Sequence, residues 1–270
     1  MTREKHVEVV ICPDAQQVGA VAAAKVASIA KAVGPKVVLG VATGSSPLGL
    51  YEELAKRITA GSLDLSGAQA FALDEYVGLP DGHPESYAEV IRRTVTVPFG
   101  LDPARVNVPD GRAQNLETAG DRYEAAITAA GGVDVQILGV GANGHIGFNE
   151  PGSSLDSSTR VKTLTLRTRE DNARFFDGSL DKVPTHCITQ GLGTIRRARH
   201  LVLVATGAGK ADAVAGMVEG PVTSMCPASV LQLHRFATVV CDEAAAAKLA
   251  QADYYQQVYA GLLDWQRWDV

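Results

Sequence analysis

The chain alternates short, β-branched apolar runs with alanine-rich stretches of helical spacing, and this alternation is the strongest constraint on its fold. Runs that predict strands occupy residues 7–12, 36–42, 68–73, 133–140, 160–166, 200–205 and 238–241. Stretches that predict helices occupy residues 16–33, 47–60, 116–130 and 209–219, with another from about residue 253. This order is typical of an α/β protein, in which helices cover both faces of a mostly parallel sheet. No linker-like composition and no repeat interrupts it, so we expect a single domain over residues 1–270.

Glycines mark the ends of many of the predicted strands. The chain has 27 glycines in 270 residues and is 46% hydrophobic and 20% charged, which is ordinary for a globular protein with a large core. In open α/β sheets, ligands bind beyond the carboxyl ends of the strands. Four polar or glycine-rich loops follow predicted strands, at residues 43–47, 74–76, 141–150 and 206–210. We expect these loops to meet at one edge of the sheet, where glycine lets the backbone approach a ligand.

Charge and cysteine content exclude several classes of partner. The net charge is −5, from 25 basic and 30 acidic residues, and no basic run exceeds Arg196-Arg197, so no nucleic-acid partner is expected. The four cysteines are scattered and the six histidines show no ligand spacing, so neither a disulfide frame nor a metal site is expected. The first apolar run, residues 7–12, is too short for a signal sequence or a membrane span. We therefore expect a cytoplasmic protein without membrane contact.

Two of the loops offer groups that bind anions. The TGSSP segment at residues 43–47 combines small residues, hydroxyls and a predicted helix start, which suits a phosphate or carboxylate. A plain turn with a serine cap is an equal alternative. The GAGK segment at residues 207–210 brings a lysine to the same edge. It is not a Walker A loop, because Val204 stands where glycine is needed and Ala211 where serine or threonine is needed, so nucleotide hydrolysis is not expected.

The loop at residues 141–150 carries candidate acid and base groups. The GVGANG segment at residues 139–144 matches the dinucleotide fingerprint, but a loop-like segment follows it in place of a helix, so no NAD-type cofactor is expected. His145 and Glu150 can move protons near neutral pH, although a lone surface histidine is the alternative. Asp74 and Glu75 supply a second carboxylate position, or simply a solvated strand exit. The residues alone indicate an acid/base enzyme or a binding protein for a sugar phosphate.

Three longer segments resemble a known family. They are LDEYVGL at residues 73–79, HPESY at residues 83–87 and GHIGFNEP at residues 144–151. These segments resemble signatures of the glucosamine-6-phosphate deaminase family, and the similarity extends over nearly the whole chain except both termini. The resemblance implies a Rossmann-like domain that converts D-glucosamine 6-phosphate and water to D-fructose 6-phosphate and ammonia in amino-sugar catabolism. It implies neither a metal nor an organic cofactor.

The resemblance also implies roles for individual residues. His145 would assist opening of the pyranose ring, with Glu150 and Asn143 orienting or charging it. Asp74 would take a proton from carbon 2 of the open-chain sugar and return it to carbon 1. Ring opening and carbon deprotonation occur at different atoms, so groups on different sides of the substrate suit them. The family's phosphate contacts correspond to Gly44, Ser45, Ser46, Arg174 and Lys210.

The chain departs from the family pattern at two positions in the site. Some members have Asp where Asn143 stands, and an amide can hydrogen-bond His145 but cannot act as a carboxylate relay. The Ser45-Ser46 pair replaces a Gly-Thr pair of some relatives and keeps one hydroxyl. Some hexameric members bind N-acetylglucosamine 6-phosphate as an activator, which leaves activation and a homo-oligomer open here. The corresponding allosteric residues are Ser153, Arg160, Lys162 and Thr163.

Two alternatives to the deaminase remain. One is 6-phosphogluconolactonase, a hydrolase of similar fold and ligand, against which the Asp74-Glu75-Tyr76 string argues. The other is a sugar-phosphate sensor that keeps the phosphate loops but has lost the acid/base residues or gained a DNA-binding domain. This chain has those residues and no room for a further domain.

Overall fold

The computed structural model describes residues 7–268, whose strands form two sheets. The strands are β1 (Glu8–Cys12), β2 (Val38–Val41), β3 (Gln69–Ala72), β4 (Asp74–Tyr76), β5 (Val106–Asn107), β6 (Val135–Gly139), β7 (Arg160–Thr163), β8 (His186–Thr189), β9 (His200–Ala205) and β10 (Ala237–Asp242). The main sheet has seven parallel strands in the order β1-β10-β9-β6-β2-β3-β5. The small sheet is antiparallel, in the order β4-β8-β7.

Helices cover both faces of the main sheet. They are α1 (Ala15–Val33), α2 (Leu48–Thr59), α3 (Tyr87–Ile91), α4 (Ala119–Ala129), α5 (Leu166–Ala173), α6 (Leu192–Arg196), α7 (Ala211–Val218), α8 (Glu243–Ala246) and α9 (Ala252–Ala260). Leu201 and Leu203 of β9 belong to the apolar cluster with α4, α6, α7 and α8. Val202 and Val204 belong to the cluster with α1 and α2. The strands are apolar on both sides because a helical layer covers each face, and the predicted fold class is confirmed.

The small sheet differs from the prediction. The sequence pattern predicts residues 160–166 as a strand of one continuous sheet and Asp74–Tyr76 as a polar loop. Instead, β4 and β7 pair with opposite edges of β8, so that Thr189 lies opposite Asp74 on one side and Arg160 on the other. Two of the three residues of β4 are carboxylates, so the strand shows no apolar alternation. Leu166 begins α5 rather than ending β7.

The remaining predicted elements lie close to their observed positions, and His200–Ala205 matches residue for residue. The short elements β5, β8, α3, α6 and α8 were not predicted, because two to five residues are too few to show a period. Between β6 and β7 the chain forms no helix or strand beyond one isolated bridge, as the lack of periodicity predicts. None of the helices among residues 7–268 is long and apolar enough to cross a membrane. All four cysteines are free thiols.

The ring of His234 connects two turns at the amino end of the main sheet. The residue is 9% exposed, its Nε2 donates to Ala198 O at 2.8 Å, and its Nδ1 accepts from the Phe236 N–H at 3.0 Å. These partners require a neutral ring with the proton on Nε2. Burial, the largest effect, lowers the pKa of His234 below its ordinary value of 6.5.

We expect the stabilisation by His234 to be complete above pH 6.5 and to be lost as the pH falls further, because the unfolded chain takes up this proton more readily. His234→Gln should lower the free energy of unfolding by about 1–3 kcal/mol at neutral pH through its buried hydrogen bonds. Urea unfolding at neutral pH and at a pH near 5 measures the gap in free energy of unfolding between wild type and His234→Gln. This gap should be smaller at the lower pH. His186→Gln, which removes an exposed imidazole, serves as the control for the substitution itself. A gap for His234→Gln that is the same at both pH values would contradict the prediction.

Candidate active site

The loops predicted to form a site meet at the carboxyl edge of the main sheet. Three of them follow β2, β6 and β9, which are neighbours in the sheet. A Cβ added at Gly139, the last residue of β6, would lie 3.1 Å from the Cβ of Ser46 in the loop after β2. The charge of Lys210, from the loop after β9, acts on His145. Asp74 reaches the same place from the small sheet, as the contacts below show.

Asp74 and Glu75, adjacent in β4, have different environments. Glu75 accepts three backbone hydrogen bonds, from Tyr76 at 2.7 Å, Tyr87 at 2.9 Å and Ala88 at 2.8 Å, and so holds the amino end of α3. Asp74 is 4% exposed, and burial, followed by the charge of Glu75, raises its pKa to about 8. Burial raises the pKa of Glu75 as well, against the effect of these three hydrogen bonds, which commit its carboxylate to the backbone of the fold. Asp74 is a buried carboxyl with the raised pKa typical of acid/base groups in active sites.

Two glycines let the reactive side chains approach the backbone. A Cβ on Gly141 would overlap the ring of His145. Gly147 has φ +55°, and a Cβ there would lie 3.1 Å from Asp74 Oδ2 and 2.9 Å from Thr189 Oγ1. The loop that carries His145 therefore packs directly against Asp74. Substitution of either glycine would force these groups apart.

Asn143 connects His145 to Glu150. The Asn143 Nδ2 donates to Glu150 Oε2 at 2.7 Å, and the Asn143 Oδ1 lies 2.7 Å from His145 Nδ1. The backbone N–H of His145 donates to the same oxygen at 3.2 Å. The direct distance between His145 Nδ1 and Glu150 Oε1 is 3.7 Å. Thr168, from α5, donates its hydroxyl to Glu150 Oε1 at 2.8 Å.

These contacts determine which nitrogen of the His145 ring carries the proton. A carboxylate only accepts, so the NH₂ group of Asn143 must face Glu150 and its carbonyl oxygen must face His145. The backbone N–H of His145 supports the same orientation. Because that oxygen also only accepts, His145 Nδ1 must donate. The neutral ring then has its lone pair on Nε2, where it can act as a base.

The surroundings of His145 favour the neutral ring. Burial lowers its pKa below 6.5 and is the largest effect, and the Lys210 ammonium acts in the same direction. The carboxylates of Glu150 and Asp171 oppose this, with Glu150 the stronger. His145 therefore begins as a base near neutral pH, with a carboxylate close enough to stabilise its charge once it takes a proton.

The first predicted anion loop is open to ligand. Gly44 has φ +86°, and no atom would contact a Cβ added there. Ser45 is exposed and Ser46 is half-buried. The residue before α2 is Pro47, without a side-chain cap, so the alternative of a serine cap is wrong. The Ser46 hydroxyl lies beside the end of β6, since a Cβ added to Gly139 would lie 3.3 Å from its Oγ.

Two cations, Lys210 and Arg174, lie close enough for their charges to interact. Burial, and then the charge of Arg174, lowers the pKa of Lys210. Arg174 follows α5, and its guanidinium lies 4.7 Å from the ring centre of Phe175. Asp242 holds the loop before Lys210, since both of its carboxylate oxygens accept from the Gly207 N–H, at 3.0 and 2.9 Å. Like charges held together in this way suit an anion between them.

The candidate allosteric residues occupy the loop after Glu150 and strand β7. Ser153 is 5% exposed, and its hydroxyl has no hydrogen-bond partner among residues 7–268. Arg160 donates at 2.7 Å to Oδ1 of Asn149, the fully buried neighbour of Glu150. Lys162 and Thr163 continue β7, opposite Cys187 and His186 of β8.

Sequence reasoning missed several residues that support the site. Tyr76, Phe148 and Phe176 form an aromatic cluster under the small sheet, and Tyr87 stacks on Phe148 with the ring centres 5.9 Å apart. Tyr87 belongs to the HPESY segment, which indicates the family but not this contact. Thr168 begins the resembling segment at residues 168–176 that carries Arg174, but its contact with Glu150 joins distant parts of the chain and has no signal in the sequence.

The chain is similar to a known family over most of its length. The family model described as glucosamine-6-phosphate isomerases/6-phosphogluconolactonase matches residues 13–240. Similar proteins named glucosamine-6-phosphate deaminase occur in Streptomyces avermitilis, 58% identical over 259 residues, and in Pseudarthrobacter chlorophenolicus, 59% identical over 259 residues. In both cases the match covers 96% of this chain and 99% of the relative.

Solved structures show the same fold. A monomeric glucosamine-6-phosphate deaminase has a TM-score of 0.86 and 38% identity, over 90% of this chain and 100% of that one. A 6-phosphogluconolactonase from Trypanosoma cruzi has a TM-score of 0.72 over 92% of this chain and 99% of that one, but only 20% identity. The second similarity indicates the fold alone.

The orientation of Asn143 predicts the behaviour of its Asn143→Asp variant. A carboxylate 2.7 Å from His145 Nδ1 adds a negative charge beside the ring, so the pKa of His145 should rise. Titration of the ring by NMR, with ¹⁵N-labelled histidine, measures this in the ligand-free protein. The wild-type ring should titrate below pH 6.5 with its proton on Nδ1 when neutral. A neutral ring protonated on Nε2 would show that the inferred amide orientation is wrong.

Proposed function

Because the chain belongs to the family of glucosamine-6-phosphate isomerases and 6-phosphogluconolactonases, we propose that its site converts D-glucosamine 6-phosphate and water to D-fructose 6-phosphate and ammonia. One observation carries the assignment of residues. A buried carboxyl of raised pKa, Asp74, directly adjoins the loop in which Asn143 holds His145 beside Glu150. The site thus has two separate proton-transfer groups, which suits a reaction with proton transfers at two places on one sugar.

The phosphate is the anchor of the substrate. Arg174 and Lys210 neutralise its two negative charges, and the amides and hydroxyls of the Gly44-Ser45-Ser46 loop donate to its oxygens. Binding of the phosphate relieves the repulsion between the two cations. The bound phosphate in turn holds the sugar ring in the site. A protein of net charge −5 can therefore bind a dianion through local charges.

Ring opening uses His145. Its Nε2 lone pair takes the proton from the hydroxyl on carbon 1, and the protonated ring then gives a proton to the ring oxygen as the bond between that oxygen and carbon 1 breaks. Glu150 stabilises the transient imidazolium, and Asn143 keeps Nδ1 as the donor. The product of this step is the open-chain amino aldehyde.

Isomerisation uses Asp74. The carboxylate takes the proton from carbon 2 while the ammonium group of the substrate gives a proton to the oxygen on carbon 1, which leaves a neutral enol-amine. The carboxyl then returns its proton to carbon 1, which leaves a protonated imine at carbon 2. Water adds to this imine, and ammonium leaves as the carbonyl of fructose 6-phosphate forms. One carboxyl transfers both protons because carbons 1 and 2 are adjacent and the group is fixed between them.

Asp74→Asn should abolish most of the turnover while sparing binding. Loss of a general base costs about 10²–10⁴-fold in rate. The assay incubates protein with glucosamine 6-phosphate and measures ammonium and fructose 6-phosphate, and a non-reactive substrate analogue reports binding. Full activity in this variant would remove Asp74 from the mechanism. Absence of both products with wild-type protein would overturn the deaminase, and hydrolysis of 6-phosphogluconolactone without ammonium would favour the lactonase.

The raised pKa of Asp74 predicts the pH dependence of kcat/KM. The base works as the carboxylate, so activity is lost as the pH falls through the pKa of about 8 in the free enzyme. We expect kcat/KM to increase with pH up to about that value. An acid limb near pH 4, the ordinary range of an aspartate, would contradict a raised pKa of the catalytic carboxyl in the free enzyme.

We further propose that Ser153, Arg160, Lys162 and Thr163 form an effector site. The Ser153 hydroxyl, which has no partner among residues 7–268, and the hydrogen bond from Arg160 to Asn149 support it, since Asn149 and Ser153 lie on either side of Glu150 along the chain. Adding N-acetylglucosamine 6-phosphate to the same assay tests this, and light scattering tests for a homo-oligomer. Since sugar phosphates do not cross membranes unaided, we infer that the enzyme acts in the cytoplasm.

A further inference from the structure

Helix α5 is held in place without a buried face. None of its eight described residues is buried, so the helix gains little from apolar packing. The guanidinium of Arg169 donates to the carbonyls of Leu180 at 2.8 Å and Val183 at 3.2 Å. Beyond the helix, Phe176 is 4% exposed and packs in the aromatic cluster. These contacts fix the far side of the segment, and another contact fixes the side that faces the site.

That contact is made by Thr168. Its hydroxyl donates to Glu150 Oε1 at 2.8 Å and lies 2.8 Å from Thr165 Oγ1. Because a carboxylate only accepts, Thr168 must donate to Glu150, and Thr165 must therefore donate to Thr168. The backbone N–H of Thr168 donates separately to Thr165 Oγ1 at 3.2 Å and caps the helix. The Thr168 hydroxyl thus connects the start of α5 to Glu150 through a hydrogen bond in which Thr168 is the donor.

The link determines how Glu150 is held. Its Oε2 accepts from Asn143 at 2.7 Å and its Oε1 accepts from Thr168, so two segments hold the two oxygens. In this orientation Oε1 lies 3.7 Å from His145 Nδ1. Without the Thr168 hydroxyl, the carboxylate is held at one oxygen and can rotate about its bond to Cγ. The position of the charge that stabilises a protonated His145 would then no longer be fixed.

The same segment carries a phosphate-facing cation. Arg174 immediately follows α5, and its charge acts on Lys210. One short element therefore touches both the anion-binding edge and the carboxylate beside His145. A ligand that bridges Arg174 and Lys210 would therefore bind the same segment that holds Glu150 through Thr168.

We propose that Thr168 is a positioning residue for ring opening, through which the segment that binds the phosphate locks Glu150 beside His145. The proposal rests on the deaminase function and deepens it, since nothing in the motifs assigns Thr168 a role. It predicts a specific separation of effects. Loss of the hydroxyl should impair turnover, whereas the phosphate contacts, which Arg174 and Lys210 make themselves, should persist.

The test compares Thr168→Val with Thr168→Ser. Valine has nearly the shape of threonine and keeps the backbone cap from Thr165, while serine keeps the hydroxyl. We expect Thr168→Val to lower kcat about 10-fold or more, the effect of one hydrogen bond to a charged group, with KM for glucosamine 6-phosphate changed by less than about 3-fold. Thr168→Ser should restore kcat to within about 3-fold of wild type. Leu166→Ala, an exposed change on the same helix, should leave both constants unchanged.

A second measurement does not depend on substrate. The ring ¹⁵N resonances of His145 in the ligand-free protein should shift in Thr168→Val and stay at the wild-type positions in Thr168→Ser. An unchanged kcat, a loss explained wholly by KM, or unchanged His145 resonances in Thr168→Val would overturn the proposal. If wild-type protein releases no ammonium, the proposed function fails, and the resonances alone then decide whether Thr168 positions Glu150.

Discussion

The chain passes from the main sheet to the small sheet between Leu73 and Asp74, and the site depends on this junction. The Leu73 N–H donates to the neighbouring strand β2 at 3.0 Å, while the next residue, Asp74, pairs with Thr189 of β8. Gln190 closes the junction from the other side, with its N–H on Leu73 O at 2.7 Å and its side chain on Ala72 O at 3.0 Å. No loop intervenes in which the chain could relax, so the position of Asp74 is as rigid as the two sheets.

This junction accounts for the division of the site. Asp74 belongs to the small sheet, whereas His145 and Lys210 stand on loops of the main sheet. The two side chains proposed to transfer protons are therefore carried by different sheets, and the His145 loop is joined to the small sheet where the Phe148 N–H donates to Thr189 Oγ1 at 3.1 Å. Burial at the junction raises the pKa of Asp74, and the Asn143 bridge determines the tautomer of His145. The glycines between them keep the two supports in contact.

Much of this arrangement can be predicted from the sequence, because parallel strands buried on both faces are continuous apolar runs and their loops meet at one edge. The sequence predicts the loop containing His145 and the proposed anion loop at residues 43–47 in this way, and the family resemblance adds Arg174. Strand β4 could not be found, since its polar residues carry no period. The burial of Asp74 depends on its pairing with a distant strand. Likewise, the structural task of Glu75 depends on amides that come from another part of the chain.

The lack of a buried face on α5 has a consequence for local stability. A helix that buries no side chain loses little apolar contact when it opens, so a few polar bonds, each worth about 1 kcal/mol, set the free energy of its opening. This is far below the roughly 5–15 kcal/mol that holds a whole domain folded. In the free protein, its amide hydrogens therefore exchange with solvent through local opening rather than global unfolding. A ligand bridging Arg174 and Lys210 adds its binding free energy to that small difference. Occupancy of the site should therefore protect the amides of α5 from exchange.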